Sequence, residues 1–299
     1  MTQISEVLRC STRADVLAAP ATLLGFMPEE SVVLMHLDRN RVEFAARVGL
    51  DLLAADPTEL LARTAHAQAV PVRPDGKWLV LVYAVRPQNY LGPLSDIVNE
   101  LDADCYLTDG CTSWALEADD LVAPEPYDYQ STGPACSAVL SGRNVCRSRE
   151  EAMTDLPVPH PDARLVGGVR DQIARWEPER QLDTLSELLD GRRLSPWEAS
   201  VLAELLAQDE LLAEVVSLLS MNSAQRWRAS LEAALAASPR ESSANLTALL
   251  GMVYWLSGNG ALVNECLSRL VLLEPDHPLG RVLHRFIFLA IPPTVWDNA

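Results

Sequence analysis

Lysine is almost missing from this chain: Lys77 is the only one in 299 residues, and every other fixed positive charge is arginine. Together with the abundance of Ala and Leu, that scarcity reflects a GC-rich genome more than a mechanism. Basic residues of any kind are absent between Arg86 and Arg143, a window that holds ten acids from Asp96 to Asp128. The formal net charge is −17. An acidic surface repels phosphate backbones, so direct binding of nucleic acid is not expected. A basic protein partner, or mimicry of nucleic-acid charge, fits better, and a plain solvated acidic face fits without any partner.

Long apolar runs are missing too. None approaches the roughly 18 residues that span a bilayer, so no membrane association is expected. The opening Met1-Thr2-Gln3-Ile4-Ser5-Glu6 has neither the basic region nor the apolar stretch of a secretory signal, and the expected location is cytoplasmic. Six cysteines occur, none as Cys-x-x-Cys, and they are expected to be reduced thiols packed as small apolar groups. No Gly-x-Gly-x-x-Gly, Walker loop, His-Glu-x-x-His or Gly-x-Ser-x-Gly is present, which removes the best-marked enzyme classes.

What is present falls into two rhythms. In the first half, Ile4–Leu8 reads as a short strand. Thr12 and Asp15 have capping-box spacing, opening a helix with Leu17, Ala21 and Leu24 on one side, a kink at Pro20 and a stop at Gly25. Ser31–His36 is a continuous apolar run, as in a strand covered on both faces. Val42, Phe44, Ala46 and Val48 alternate with polar residues, and the short Asp38-Arg39-Asn40 loop makes the two strands a hairpin. Asp56-Pro57-Thr58-Glu59 starts another helix. Trp78–Val85 is a second apolar strand, and Leu91, Leu94, Val98 and Leu101 share a helical face. Asp109-Gly110, between Cys105–Thr108 and Cys111–Leu116, reads as a type I′ hairpin turn. Residues 118–131, with Pro124 and Pro126, read as irregular. The order, roughly β-α-β-β-α-β-α-β-β, predicts an α/β sandwich with a mixed sheet over residues 1–155.

Leu156-Pro157-Val158-Pro159-His160-Pro161 reads as a Pro-rich linker over residues 156–161. Beyond it, residues 162–299 carry helix signals almost alone. Leu182, Leu185, Leu188 and Leu189 form one stripe, Ser195-Pro196-Trp197-Glu198 is a strong helix start, and Trp227, Leu231 and Leu235 form another face. Near the end, Leu250, Gly251 and Tyr254, then Val263, Leu267 and Leu270, then Pro275, resemble one tetratricopeptide unit. A single unit matches, whereas stacked repeats need about three for stability.

Candidate chemistry is sparse. Glu29 and Glu30 sit at a helix-to-strand turn, where acids can hold a metal or act as a general base; the plainer reading is exposed loop acids, since adjacent residues point apart and no nearby His completes a site. Arg47, a lone charge on an alternating strand, can take an anionic ligand or simply pair with an acid. Cys105 and Cys111 would face each other across the Asp109 turn but lack partners for zinc. His277 and His284 are spaced to share a helical face, with a capping or core role as the default.

The stretch Leu23–Leu34 with Arg41–Val48 carries a further signal. Together with Pro126-Tyr127-Asp128, Ser148-Arg149-Glu150-Glu151 and Leu256–Leu262, it resembles the actinobacterial domain-of-unknown-function family 4192. The resemblance implies no established activity and carries over no catalytic residue. Relatives often have a cysteine pair and a Pro/Gly turn after the position of Trp114; here the stretch is Glu117-Ala118-Asp119-Asp120-Leu121, so any thiol chemistry of the family is implied to be lost. Gly49 stands where relatives often have an acid.

The expected function is a non-enzymatic protein-interaction or regulatory module, its α/β domain recognising and its helices forming a platform for a partner protein or a second copy. No catalytic residue, metal ligand or cofactor is assigned. Two other readings stand beside it: a hydrolase or small-ligand-binding enzyme with a site at the sheet edge near Glu29, Glu30, Arg47 and Asp109, and an acidic nucleic-acid mimic.

Overall fold

The computed structural model describes residues 9–38, 41–55, 76–140, 145–289, 291 and 293–298. The strand expected at Ile4–Leu8, the hairpin loop residues Arg39 and Asn40, and the helix start at Asp56 lie outside the described residues. Contacts divide the chain into two compact units. One runs to Ala152 and includes 288–292; the other runs from Met153 to Ile287 and includes 293–299.

The first unit is built on a six-stranded mixed sheet, in the order β2-β1-β3-β4-β5-β6. Its strands are β1 (Ser31–Asp38), β2 (Arg41–Gly49), β3 (Lys77–Tyr83), β4 (Asp104–Thr108), β5 (Thr112–Glu117) and β6 (Asp120–Pro126). All neighbours are antiparallel except β3 and β4, the pair joined by a helical crossover. Alternation along the central strands splits the apolar residues between two faces. Val32, Leu34, Val80 and Val82 pack with Leu94 and Ile97 of α3 (Leu91–Leu101) and with Leu50 and Leu53 of α2 (Leu50–Ala55). Val33, Met35, Leu79, Leu81 and Tyr83 pack instead with Leu17 of α1 (Arg13–Leu24) and with Tyr127. Burial on both faces is why β1 and β3 read as unbroken apolar runs.

α1 begins as its sequence dictates: Thr12 and Asp15 form a full capping box, Pro20 sits inside the helix, and Gly25 closes it at φ 79°. Asp15 does more than cap. One carboxylate oxygen accepts from the amides of Ser11 and Thr12, and the other accepts from the amide of Gly133, which opens α4 (Gly133–Leu140). Burial alone would raise its pKa, but these hydrogen bonds outweigh burial and hold the carboxyl below its usual range.

The irregular reading of residues 118–131 is corrected by the structure. Residues 120–126 form β6, and Tyr129–Ser131 a short 3₁₀ turn. β6 is an edge strand, where prolines such as Pro124 and Pro126 are tolerated because one side of the strand has no ladder to complete. Arg13 secures it, donating to the carbonyl oxygens of Ala123 and Ser113 and pairing with Glu125 at 3.6 Å.

The tight turns are also redistributed. At Asp109-Gly110 only Gly110 has positive φ, 93°, whereas a type I′ turn needs it at both central residues. The I′ pattern falls one hairpin later, at Ala118 (φ 47°) and Asp119 (φ 69°), which join Glu117 to its partner Asp120. An alanine in the left-handed region is strained by roughly 1–2 kcal/mol. Replacing the pair by Asn-Gly (Ala118→Asn with Asp119→Gly) is therefore expected to stabilise the protein by about 1 kcal/mol. An unchanged or lower urea midpoint in the double variant would show the turn to be unstrained.

The second unit is helical: α5 (Arg149–Met153) leads into it, followed by α6 (Ala163–Ile173), α7 (Pro178–Leu189), α8 (Pro196–Leu206), α9 (Asp209–Ser217), α10 (Met221–Ala237), α11 (Ala244–Leu256), α12 (Gly260–Leu273) and α13 (Pro278–Phe288). Residues 156–161, expected as a linker, are fastened to these helices. Arg269 of α12 donates to the carbonyl oxygens of Leu156 and Pro157, the His160 amide donates to the Ala236 carbonyl, and Leu156 is buried. The α8 start has its full capping box, and the Ser195 amide, with Arg192 and the Ser195 hydroxyl, holds the Glu198 carboxyl down to about 2. α11 is buried along almost its whole length, so no amphipathic stripe is visible in its sequence.

Candidate functional site

The four residues singled out in the first unit come to one end of the sheet, where β1 starts and β2, β3 and β4 finish. Register places Ser31 beside Gly49 on one side and Tyr83 on the other, and Tyr83 beside Thr108. Glu29 and Glu30 precede β1, Arg47 lies near the end of β2, and Asp109 follows β4.

The carboxylates of two of the four, Glu30 and Asp109, are occupied with holding the fold. Glu30, at φ 40°, accepts from the Leu50 amide through its carbonyl and from the Val85 amide through its carboxylate at 2.8 Å, so it clamps the ends of β1, β2 and β3. Asp109 accepts from the amides of Cys111 and Thr112 and shapes its own turn. Glu29 contributes its carbonyl, which accepts from Arg47 Nη2 at 3.1 Å. Neither acid pair nor turn assembles a general base beside a second group. Among the described residues, no group of three or more His, Cys, Asp or Glu is placed to hold a metal ion.

Arg47 differs. Its guanidinium stacks 5.7 Å from the Phe26 ring centre, and its Nε is buried without an acceptor. Burial and then the charge of Arg149 lower its pKa, against Glu150, Asp51 and Glu29. Asp51 curls back over Gly49, its carboxylate taking the space a side chain at that position would fill. The thiols do not form a pair: Cys105 is buried in β4, its pKa pushed up by burial, and Cys111 is exposed in the turn.

Among the described residues, the helical unit carries a larger and a smaller cavity. The larger, an open groove of about 720 Å³, runs between α8 and α10. Its floor is Ala199, Ala233, Ala236 and Ala237, and its sides are His160, Arg193, Leu194, Ser195 and Pro196. The smaller, of about 230 Å³, lies among α7, α9 and α10. Sequence reasoning missed both, because alanines and leucines that line a groove look the same as those that fill a core.

A family model described as a domain of unknown function (DUF4192) matches residues 14–294. The chain belongs to that family. The match takes in both units, so the sheet and the helices are parts of one family architecture. No curated protein and no solved structure matches the chain.

A polar network lies buried in the same helices. His277 donates from Nε2 to Asn245 Oδ1 at 2.8 Å and accepts at Nδ1 from the Gly280 amide, capping α13. Asn245 in turn donates to the Leu206 carbonyl and the Asp209 carboxylate. The ring must be neutral to accept at Nδ1. Burial lowers its pKa from the ordinary 6.5, against Glu274 and Asp209. The sign follows from linkage: the unfolded chain takes the proton first as pH falls, so this contribution is complete above about 6.5 and is lost progressively below it. His277→Gln is expected to flatten the fall in stability between pH 7.5 and pH 5, read by urea unfolding. An equal fall in both proteins would remove His277 from the acid response.

Proposed function

We propose that the chain is a non-enzymatic, intracellular protein-interaction module whose helical unit holds a segment of a partner protein. The observation that carries this reading is the groove between α8 and α10. Its alanine floor lets a backbone approach closely, and its open side beside the Ser195 turn suits a helix or extended peptide. The pairing of α11 with α12 about Gly251 supports a tetratricopeptide-like arrangement for the end of this unit. The test is a pull-down from native lysate with the full chain and with Ala233→Arg, which places a long charged side chain on the groove floor. A partner retained by the wild type and lost by the variant, at unchanged thermal stability, supports the reading; equal recovery by both overturns it.

A second reading, favoured by the buried and unpartnered Arg47 Nε, is a small-ligand site at the sheet end. Arg47→Ala separates it from the first, because it leaves the groove intact.

A further inference from the structure

The smaller cavity has its own chemistry. Leu182, Leu185, Ser186 and Leu189 of α7 form one wall. Val215 of α9 and Leu218 form the second, and Trp227 of α10 the third. Leu182 and Leu218 at its lip are 41% and 64% exposed, while Trp227 at its base is 7% exposed. An apolar lip of this kind stays in water only at a cost of about 25 cal/mol per Å². At about 230 Å³ the cavity is smaller than the roughly 300–1,000 Å³ of sites that enclose a whole drug-sized molecule. It has the size of one large apolar side chain.

The charges at its mouth select what accompanies that side chain. Asp190, Glu214 and Arg226 stand there, and Arg226 leans toward Asp190 at 4.0 Å. One carboxylate therefore remains over after the arginine is matched, in a protein of net charge −17. The left-handed Gly191, whose absent side chain would meet the Arg226 carbonyl, keeps the end of α7 against the start of α10 and so fixes the mouth.

We propose that this cavity is an anchor socket for a basic amphipathic segment of a partner protein, which inserts one aromatic or large aliphatic side chain beside a Lys or Arg. The proposal rests on the reading that the helical unit binds protein, and it names the partner's chemistry. Buried aromatic anchors in closed sockets supply most of the affinity at such contacts, and the flanking charges set rate and specificity.

The test uses the full chain and three short, fluorescein-labelled, alanine-based helical probes: one with a central Phe flanked by Lys, one with the same Phe flanked by Glu, and one with Lys but no Phe. Binding is read by anisotropy. The Lys-flanked Phe probe is expected to bind at least about tenfold more tightly than either other probe. Ser186→Trp plugs the socket from an exposed position of α7 and is expected to remove that preference; Glu214→Lys is expected to reduce it about tenfold. Equal binding of the three probes, absence of binding by the Lys-flanked Phe probe, or full binding by a folded Ser186→Trp protein overturns the proposal. Loss in Ser186→Trp with retention in Ala233→Arg locates the anchor in the socket. The opposite pattern overturns the socket while leaving the groove reading standing.

Discussion

Asp15→Ala is expected to lower the unfolding free energy by about 3 kcal/mol, because it strips the acceptor from three backbone amides, each worth about 1–3 kcal/mol when left unsatisfied. The amides of Ser11 and Thr12 belong to the α1 cap, and that of Gly133 belongs to a segment distant in sequence. One carboxylate therefore ties the helix covering one sheet face to the chain that returns over it. The pH dependence follows from the lowered pKa. The folded protein holds the Asp15 proton less tightly than the unfolded chain, whose carboxyl titrates near 3.8. Stability from this group is present above that value and is lost as pH falls through the folded-state pKa. Asp15→Asn retains one acceptor oxygen and is expected to lose less at neutral pH. Urea unfolding of wild type and both variants decides the matter. A cost below about 1 kcal/mol for Asp15→Ala would mean that water replaces the carboxylate freely.

Gly251→Val is the second large effect. A side chain at this position meets Leu283 and, at 3.3 Å, the Cβ of Cys266, both of which are fully buried. α11, α12 and α13 converge on this one missing side chain. Helix propensity favours replacing a glycine by about 1 kcal/mol, but overpacking of a closed core costs about 1–3 kcal/mol and a β-branched group has one rotamer to offer. The net expectation is a destabilisation of about 2 kcal/mol. Gly251→Ala should cost less, since the Leu283 methyl can move. A Gly251→Val protein as stable as wild type would mean that the three helices separate easily there.

The fold was legible where local chemistry and burial agree. Thr12 with Asp15, Gly25, and Ser195 with Glu198 each announce a helix end through a cap that the structure contains. β1 and β3 were legible because a strand buried on both faces needs apolar residues at every position. β6 was not, because Pro124, Pro126 and exposed acids are what an edge strand carries, and the same composition describes a loop. The I′ turn was assigned to Asp109-Gly110 on its residues, but Asp109 spends its carboxylate on two amides of the turn, and the left-handed pair falls at Ala118-Asp119, where no glycine marks it. The fastening of the Pro-rich segment was not legible, because its anchor, Arg269, lies more than a hundred residues away.

The candidate site divides in the same way. Glu29, Glu30, Arg47 and Asp109 do gather at one sheet end, as strand order requires. Hydrogen bonding then assigns Glu30 and Asp109 to the fold and leaves Arg47 with an open donor. The groove and the socket depend on how helices far apart in sequence meet, and no local pattern carries that information.

On the proposed reading, the helical unit, and not the sheet end, engages the partner. Parallel pull-downs from one native lysate with wild type, Ala233→Arg and Arg47→Ala, each at matched thermal stability, test this directly. The same partner is expected with wild type and Arg47→Ala, and its loss with Ala233→Arg; loss with Arg47→Ala and recovery with Ala233→Arg would place the partner at the sheet end instead.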